Sequence, residues 1–132
     1  MEATELFTDV VVVGAGNAAL AAALAACEAG AQVLVLEKAS FEERGGNSRF
    51  TGGIVRFAYE GLEDILPLVP ELSEAEIARM DVQPYSAATY TEDIMRMSEG
   101  KADRVLTNVL VHNSYQTVRW MQSLGVRFEL YQ

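Results

Sequence analysis

Val10-Val11-Val12-Val13-Gly14-Ala15-Gly16-Asn17-Ala18-Ala19-Leu20 is the stretch on which the fold turns. Four β-branched residues in a row suit a short strand buried on both faces of a parallel sheet. The glycines at 14 and 16 break that strand. From Asn17 to Ala29 the chain is a string of Ala and Leu with high helix propensity, and Gly30 is placed as its C′ stop. Gln32 to Leu36 reads as a second strand, ending in Glu37-Lys38. Strand, glycine turn, helix and strand make a βαβ unit with the usual right-handed crossover. The fold class expected is therefore α/β, with a Rossmann-like start followed by a mostly helical segment.

The turn fits the pattern G-x-G-x-x-A, with Gly14, Gly16 and Ala19 at the fixed places and Asn17 and Ala18 between them. Each position has a separate physical role. Gly14 permits the tight turn, Gly16 lets backbone approach a pyrophosphate, and Ala19 keeps the helix close to the sheet. The helix N-terminus offers N–H groups and a positive dipole end to phosphates. Glu37 stands at the tip of the second strand, placed to accept hydrogen bonds from ribose hydroxyls, with Lys38 beside it. Its carboxylate would repel a 2′-phosphate, which argues against NADP. The alternative is a purely structural glycine turn in a flavodoxin-like fold. The fingerprint alone does not separate FAD from NAD.

From Ala39 to Tyr59 the chain turns polar and glycine-rich, and no helix is expected there. A long loop inside a compact domain is usually functional or disordered, and the recurrence of Arg, Gly and hydroxyl residues favours function. Beyond it, Ser73 and Glu76 fit a capping box opening a short helix to about Met80. A second helix is expected over Ala88 to Ser98, stopping at Gly100, and a third over Asp103 to Leu124, stopping at Gly125. Val126 to Tyr131 has the composition of a beginning strand.

Arg44-Gly45-Gly46-Asn47-Ser48 and Thr51-Gly52-Gly53 carry a resemblance. Behind this βαβ unit they look like the flavoprotein family of succinate dehydrogenase, fumarate reductase, aspartate oxidase and ketosteroid dehydrogenase. Within that family, the stretch Glu92 to Asp103, with Val118-Arg119-Trp120-Met121 and Leu124 to Phe128, looks most like the tricarballylate dehydrogenases. The resemblance implies FAD as cofactor, with Gly14, Gly16, Asn17, Ala18, Ala19, Glu37 and Lys38 on its ADP half. Arg44, Gly45, Gly46, Asn47 and Ser48 would line the flavin side, and Thr51, Gly52 and Gly53 would let backbone pass close to the ring. Some relatives attach FAD through a histidine in this loop. Asn47 stands at the comparable place, so the flavin is expected to be non-covalent.

The implied activity is flavin-dependent oxidation or reduction of a CH–CH bond in a small polycarboxylate, tricarballylate first and succinate or fumarate second. The resemblance also implies pairing with a separate membrane electron-transfer protein. Relatives in this family are much longer. The chain is therefore expected to be truncated, its residues 1–60 forming the FAD-binding βαβ unit and glycine-rich loop and 61–132 leading towards a capping, substrate-binding domain. No catalytic acid or base is named within it. Two other functions compete: a non-catalytic nucleotide-binding fragment and an NAD-dependent reductase.

Composition sets the outer bounds. The 132 residues are 50% hydrophobic and 22% charged, which allows a true core. Nineteen acidic against ten basic residues give a net charge of −9, unfavourable to non-specific contact with nucleic acid. The acidic N-terminus lacks the character of a secretory signal, no apolar run reaches the roughly 18 residues of a membrane helix, and a cytoplasmic location is expected. Cys27, in an alanine-rich helix without basic neighbours, is expected to be buried and inert. His112 reads as a helical histidine rather than a base, and one His with one Cys makes no metal site. Arg44, Arg49 and Arg56 could meet phosphates or a polycarboxylate, or pair with Glu42, Glu43 and Glu60. Self-association of the fragment is expected through the long helix carrying Trp120 and Met121.

Overall fold

The computed structural model describes residues 5–130. They fall into two compact units, one reaching Gly53 and the other beginning at Ile54, where the sequence reading draws its boundary after residue 60.

The first unit is the βαβ element. Strand β1 (Val10–Val13) pairs in parallel with β2 (Val33–Leu36), in the register Val10 with Val33 through Val13 with Leu36. Helix α1 (Asn17–Glu28) crosses between them. It closes as a Schellman motif: the Gly30 N–H donates to Cys27 O at 2.9 Å and the Ala31 N–H to Ala26 O at 3.0 Å, with Gly30 at φ 87°.

Two expectations fail here. Val11 and Val13 are 53% and 82% exposed, so within this unit the strand is not buried on both faces. Cys27 is exposed, not buried. The second has a packing cause. Ala23 is the buried residue of α1, with Ala19 and Ala26 half-buried beside it. The helix approaches the strands through its alanines, as small side chains allow, and this rotates Leu20, Leu24 and Cys27 to the exposed side.

After β2 the chain runs irregularly to a 3-10 helix over Gly46–Phe50, an element the sequence reading leaves as loop. Gly45 and Gly46, at φ 105° and 53°, set the reversal that starts it.

The second unit is helical: α2 (Leu62–Ile65) runs into a 3-10 turn at Leu66–Leu68, followed by α3 (Glu74–Ile77), α4 (Ala87–Met97) and α5 (Arg104–Ser123). The capping box of α3 is present in both directions, the Glu76 N–H on Ser73 Oγ and the Ser73 N–H on Glu76 Oε2. Asp103 caps α5 as expected, its Oδ1 accepting the N–H groups of Val105 and Leu106 at 2.8 and 2.9 Å. Thr107, Val111, Ser114 and Val118 form the buried face of α5, at the four- and three-residue steps of one helix stripe. Ile65, Leu68, Val69 and Tyr90 complete the core of this unit. Ser114 is buried with its hydroxyl used twice, donating to Val111 O and accepting the Ala58 N–H.

The α2 turn was not legible in the sequence. Helix α4 ends one residue earlier than Gly100 would place its stop, because Glu99 itself takes the left-handed conformation at φ 53°. Residues 126–130 form no regular strand, and Tyr131 lies outside the described residues. No helix among the described residues is long and apolar enough to cross a membrane.

Around α4, an antiparallel bridge joins Tyr59 to Tyr85. The Tyr85 hydroxyl donates to Asp93 Oδ2 at 2.8 Å, and Arg96 pairs with Asp93 Oδ1 at 2.6 Å. Arg56 lies 3.7 Å from Asp93, so its partner is on α4 rather than among Glu42, Glu43 and Glu60. Arg96 foremost, then the Tyr85 hydroxyl, hold the Asp93 carboxyl below its ordinary range.

Candidate cofactor site

The site is built on the open end of the βαβ unit. Gly14 leaves β1 at φ 104°, a conformation only glycine adopts without strain, and its N–H donates to Leu36 O at 2.6 Å. Gly16 is different. Its φ of −78° suits any residue, and its value lies in the room it leaves: a Cβ there would stand 3.4 Å from both Gly45 O and Ser48 Oγ. The glycine that sequence reasoning assigned to pyrophosphate approach thus also lets the loop at 45–48 close over the turn.

Gly16 is the N-cap of helix α1 and supplies no side-chain cap, and the first turn of the helix carries no acidic residue. The helical ladder starts with the Leu20 N–H on Gly16 O at 3.0 Å. The amides of Asn17, Ala18 and Ala19 lie ahead of that ladder, as at every helix N-terminus. The Asn17 N–H is taken by Ser48 Oγ at 3.0 Å, which fixes the glycine-rich loop against the turn.

Glu37 is the second tie. Its Oε2 accepts the Ala15 N–H and its Oε1 the Ala39 N–H, each at 2.9 Å. These donors, Ala39 foremost, then Ala15, Gly45 and Lys38, hold the carboxyl below its ordinary range against the opposing effect of burial. Glu37 is therefore a carboxylate at neutral pH.

Thr51 continues the loop, its hydroxyl donating to Ser48 O at 3.2 Å and accepting the Gly53 N–H at 3.3 Å. Gly53 takes φ 74°.

The structure therefore brings together the 14–19 turn, Glu37 and the 45–48 loop, with Thr51 and Gly53 joined to that loop. Arg44 goes elsewhere locally: its guanidinium donates to Phe41 O and stacks 3.6 Å from the centre of the Phe41 ring. Arg49 lies over Phe50 at 5.5 Å, and neither arginine forms an ion pair among the described residues. Lys38 and Asn47 are exposed. Sequence reasoning missed Ala15 and Ala39, which act through backbone amides and carry no side-chain signal. Their only trace was the acid at the end of β2.

The arrangement suits an extended dinucleotide. A helix N-terminus with the Ala18 and Ala19 amides ahead of its ladder suits phosphate charge, a glycine turn removes Cβ atoms where backbone would come close, and an ionised acid stands at the strand tip.

Comparison with known proteins agrees. Residues 9–131 match the family described as FAD binding domain. A probable fumarate reductase of Shewanella frigidimarina is 30% identical over 128 residues, covering 92% of this chain and 18% of the relative. The vinyl phenol reductase of Lactiplantibacillus plantarum is 33% identical over 121 residues, covering 92% and 21%. The digoxin reductase of Eggerthella lenta is 31% identical over 123 residues, covering 92% and 19%. The chain thus spans about a fifth of the length of the curated relatives it matches.

Proposed function

The chain belongs to the FAD binding domain family, with FAD as its cofactor, and we propose from that premise that it is the cofactor-holding part of a flavin-dependent reductase acting on a carbon–carbon double bond. The observation that carries the reading is the closure of three segments on one point: the Gly14–Ala19 turn, Glu37 and Ser48, tied through Ala15 and Asn17. Such a constellation holds the phosphates and the adenosine end of a dinucleotide and leaves the loop from Gly45 to Gly53 for the flavin end. Bound flavin supplies the hydride or electron-pair chemistry. This chain supplies position: N–H groups and helix dipole for the diphosphate, an acid for the sugar, and Cβ-free backbone near the ring.

The substrate class rests on relatives. Fumarate and vinyl phenol, which two of them are named for reducing, share a carbon–carbon double bond conjugated to an unsaturated group. A small unsaturated carboxylate of the fumarate type is the proposed substrate of the whole protein. Tricarballylate, favoured by the likeness at Glu92 to Asp103, is the finer alternative; it is saturated, so with it the reaction would be oxidation of a CH–CH bond instead of reduction of a double bond. Asn47 at the place where some relatives carry a flavin-linking histidine supports dissociable FAD.

The visible absorption of the purified chain tests this directly. Flavin bands that pass into the supernatant on acid precipitation are the expected result. Bands that stay in the pellet would mean covalent attachment and defeat the reading of Asn47. A colourless protein that takes up no added FAD would defeat the cofactor reading for this chain.

A further inference from the structure

We propose, resting on the reading that this site holds FAD, that Glu37 is a positioning residue, a clamp whose carboxylate fastens the glycine turn to the tip of β2 and so shapes the site before any sugar reaches it. Its two oxygens are already engaged by the protein: Oε2 by the Ala15 N–H and Oε1 by the Ala39 N–H. Ala15 lies between the two glycines of the turn. The preceding N–H, that of Gly14, is also held from β2, on Leu36 O. Two successive amides of the turn are thus fastened to the end of one strand, and without the carboxylate only the inner of the two fastenings remains.

The chemistry separates this role from a sugar-binding one. Backbone N–H groups can only donate, so the clamp requires an acceptor at both ends. Glutamine has the same length and shape but offers one acceptor oxygen and one NH2, and the NH2 would face either Ala15 or Ala39 as donor against donor. Sugar hydroxyls both donate and accept, so glutamine would still pair with them at every contact and lose only the charge assistance. Glu37→Gln therefore loosens the ligand-free turn only if the residue clamps backbone; a residue that reads ribose alone would weaken binding and leave the empty turn as it was.

The experiment is FAD titration of the wild type and of Glu37→Gln, with backbone amide exchange measured on both without ligand. The expected result is a loss of about tenfold or more in FAD affinity, the order expected for a charge-assisted hydrogen bond. It should come with faster exchange at Ala15 and Ala39 in the variant. Affinity within about threefold of wild type overturns the proposal, as does lost affinity with unchanged exchange, which would return Glu37 to the sugar alone. The wild type gives a readout that no folding defect can confound. Its Ala15 and Ala39 amides should exchange more slowly than in an unstructured chain of the same sequence, and equal rates overturn the clamp. A wild type that binds no FAD defeats the cofactor reading, and the exchange data still judge Glu37.

Discussion

The two units are held together by different means. In the helical unit, order comes from apolar burial: Val111 and Val118 on α5 are 1% and 3% exposed, with Ile65, Leu68, Val69 and Tyr90 buried around the same core. In the βαβ unit the only buried apolar residue among those described is Ala23. Its functional end is shaped instead by single polar ties, Glu37 to Ala15 and Ala39 and Ser48 to Asn17. A surface built from such ties keeps N–H groups and backbone close to where a ligand must sit. An apolar core offers a ligand nothing, but it tolerates loss of any one polar contact. The comparison predicts that substitutions in the two units fail differently, one through stability and the other through affinity.

The largest stability effect should come from Val111→Ala. Removing two methyl groups from a side chain this buried loses their transfer energy and leaves a cavity, at a cost of about 2–3 kcal/mol. Chemical denaturation followed by far-UV circular dichroism, which reports chiefly on helices, would show it as a lower midpoint with an unchanged slope. A change below about 0.5 kcal/mol would mean that α5 is not packed on its Thr107–Val118 stripe, and the contrast between the units would collapse.

That contrast also explains what the sequence disclosed. The βαβ unit was legible because its signals are local: a β-branched run, two glycines, an alanine string, an acid at the strand tip. The capping residues Ser73 and Asp103 were legible for the same reason, each acting within three residues. The ties that shape the site were not. Ala15 and Ala39 contribute amides that every residue type possesses, and Ser48 reaches Asn17 across 31 positions. Cys27 was misread because helix propensity says nothing about rotation. Packing selected the alanines of α1 for the close face, and a thiol four residues after Ala23 still turned outward. The pairing of Arg56 was missed because its partner, Asp93, lies far along the chain on α4.

A smaller effect, of opposite sign, tests the end of α4. Glu99 sits at φ 53° as the C′ residue, with its N–H on Arg96 O and the Gly100 N–H on Met95 O. A side chain in this conformation is disfavoured, and the exposed pair with Lys101 at 2.6 Å offsets little of that cost. Glu99→Gly should therefore stabilise the helical unit by about 0.5–1 kcal/mol, less the greater entropy of glycine in the unfolded chain. A clear loss of stability in the same denaturation experiment would show that the ion pair, rather than the backbone, decides this corner.

The least effect is expected from Asp93 at neutral pH, and it is best read through its pH dependence. Arg96 first and Tyr85 second lower the carboxyl from its ordinary 3.8, so the folded state holds the proton less tightly than the unfolded one. The sign follows: the contribution is complete above that ordinary value and disappears as pH falls towards the folded one. The two arginines stand at an open surface, Arg56 and Arg96 being 62% and 68% exposed, where water and salt screen the attraction, while Tyr85 is half-buried. Asp93→Asn keeps the shape and abolishes the charge. The variant should be modestly less stable than the wild type at pH 7, and the gap should close as the pH is lowered below the ordinary carboxyl value. A gap that stays constant through the acid range would mean that Asp93 serves the helical unit by hydrogen-bonding shape alone. The polar cluster on α4 would then act through geometry, as Glu37 does in the other unit, and the division between burial and polar ties would cut across both units instead of between them.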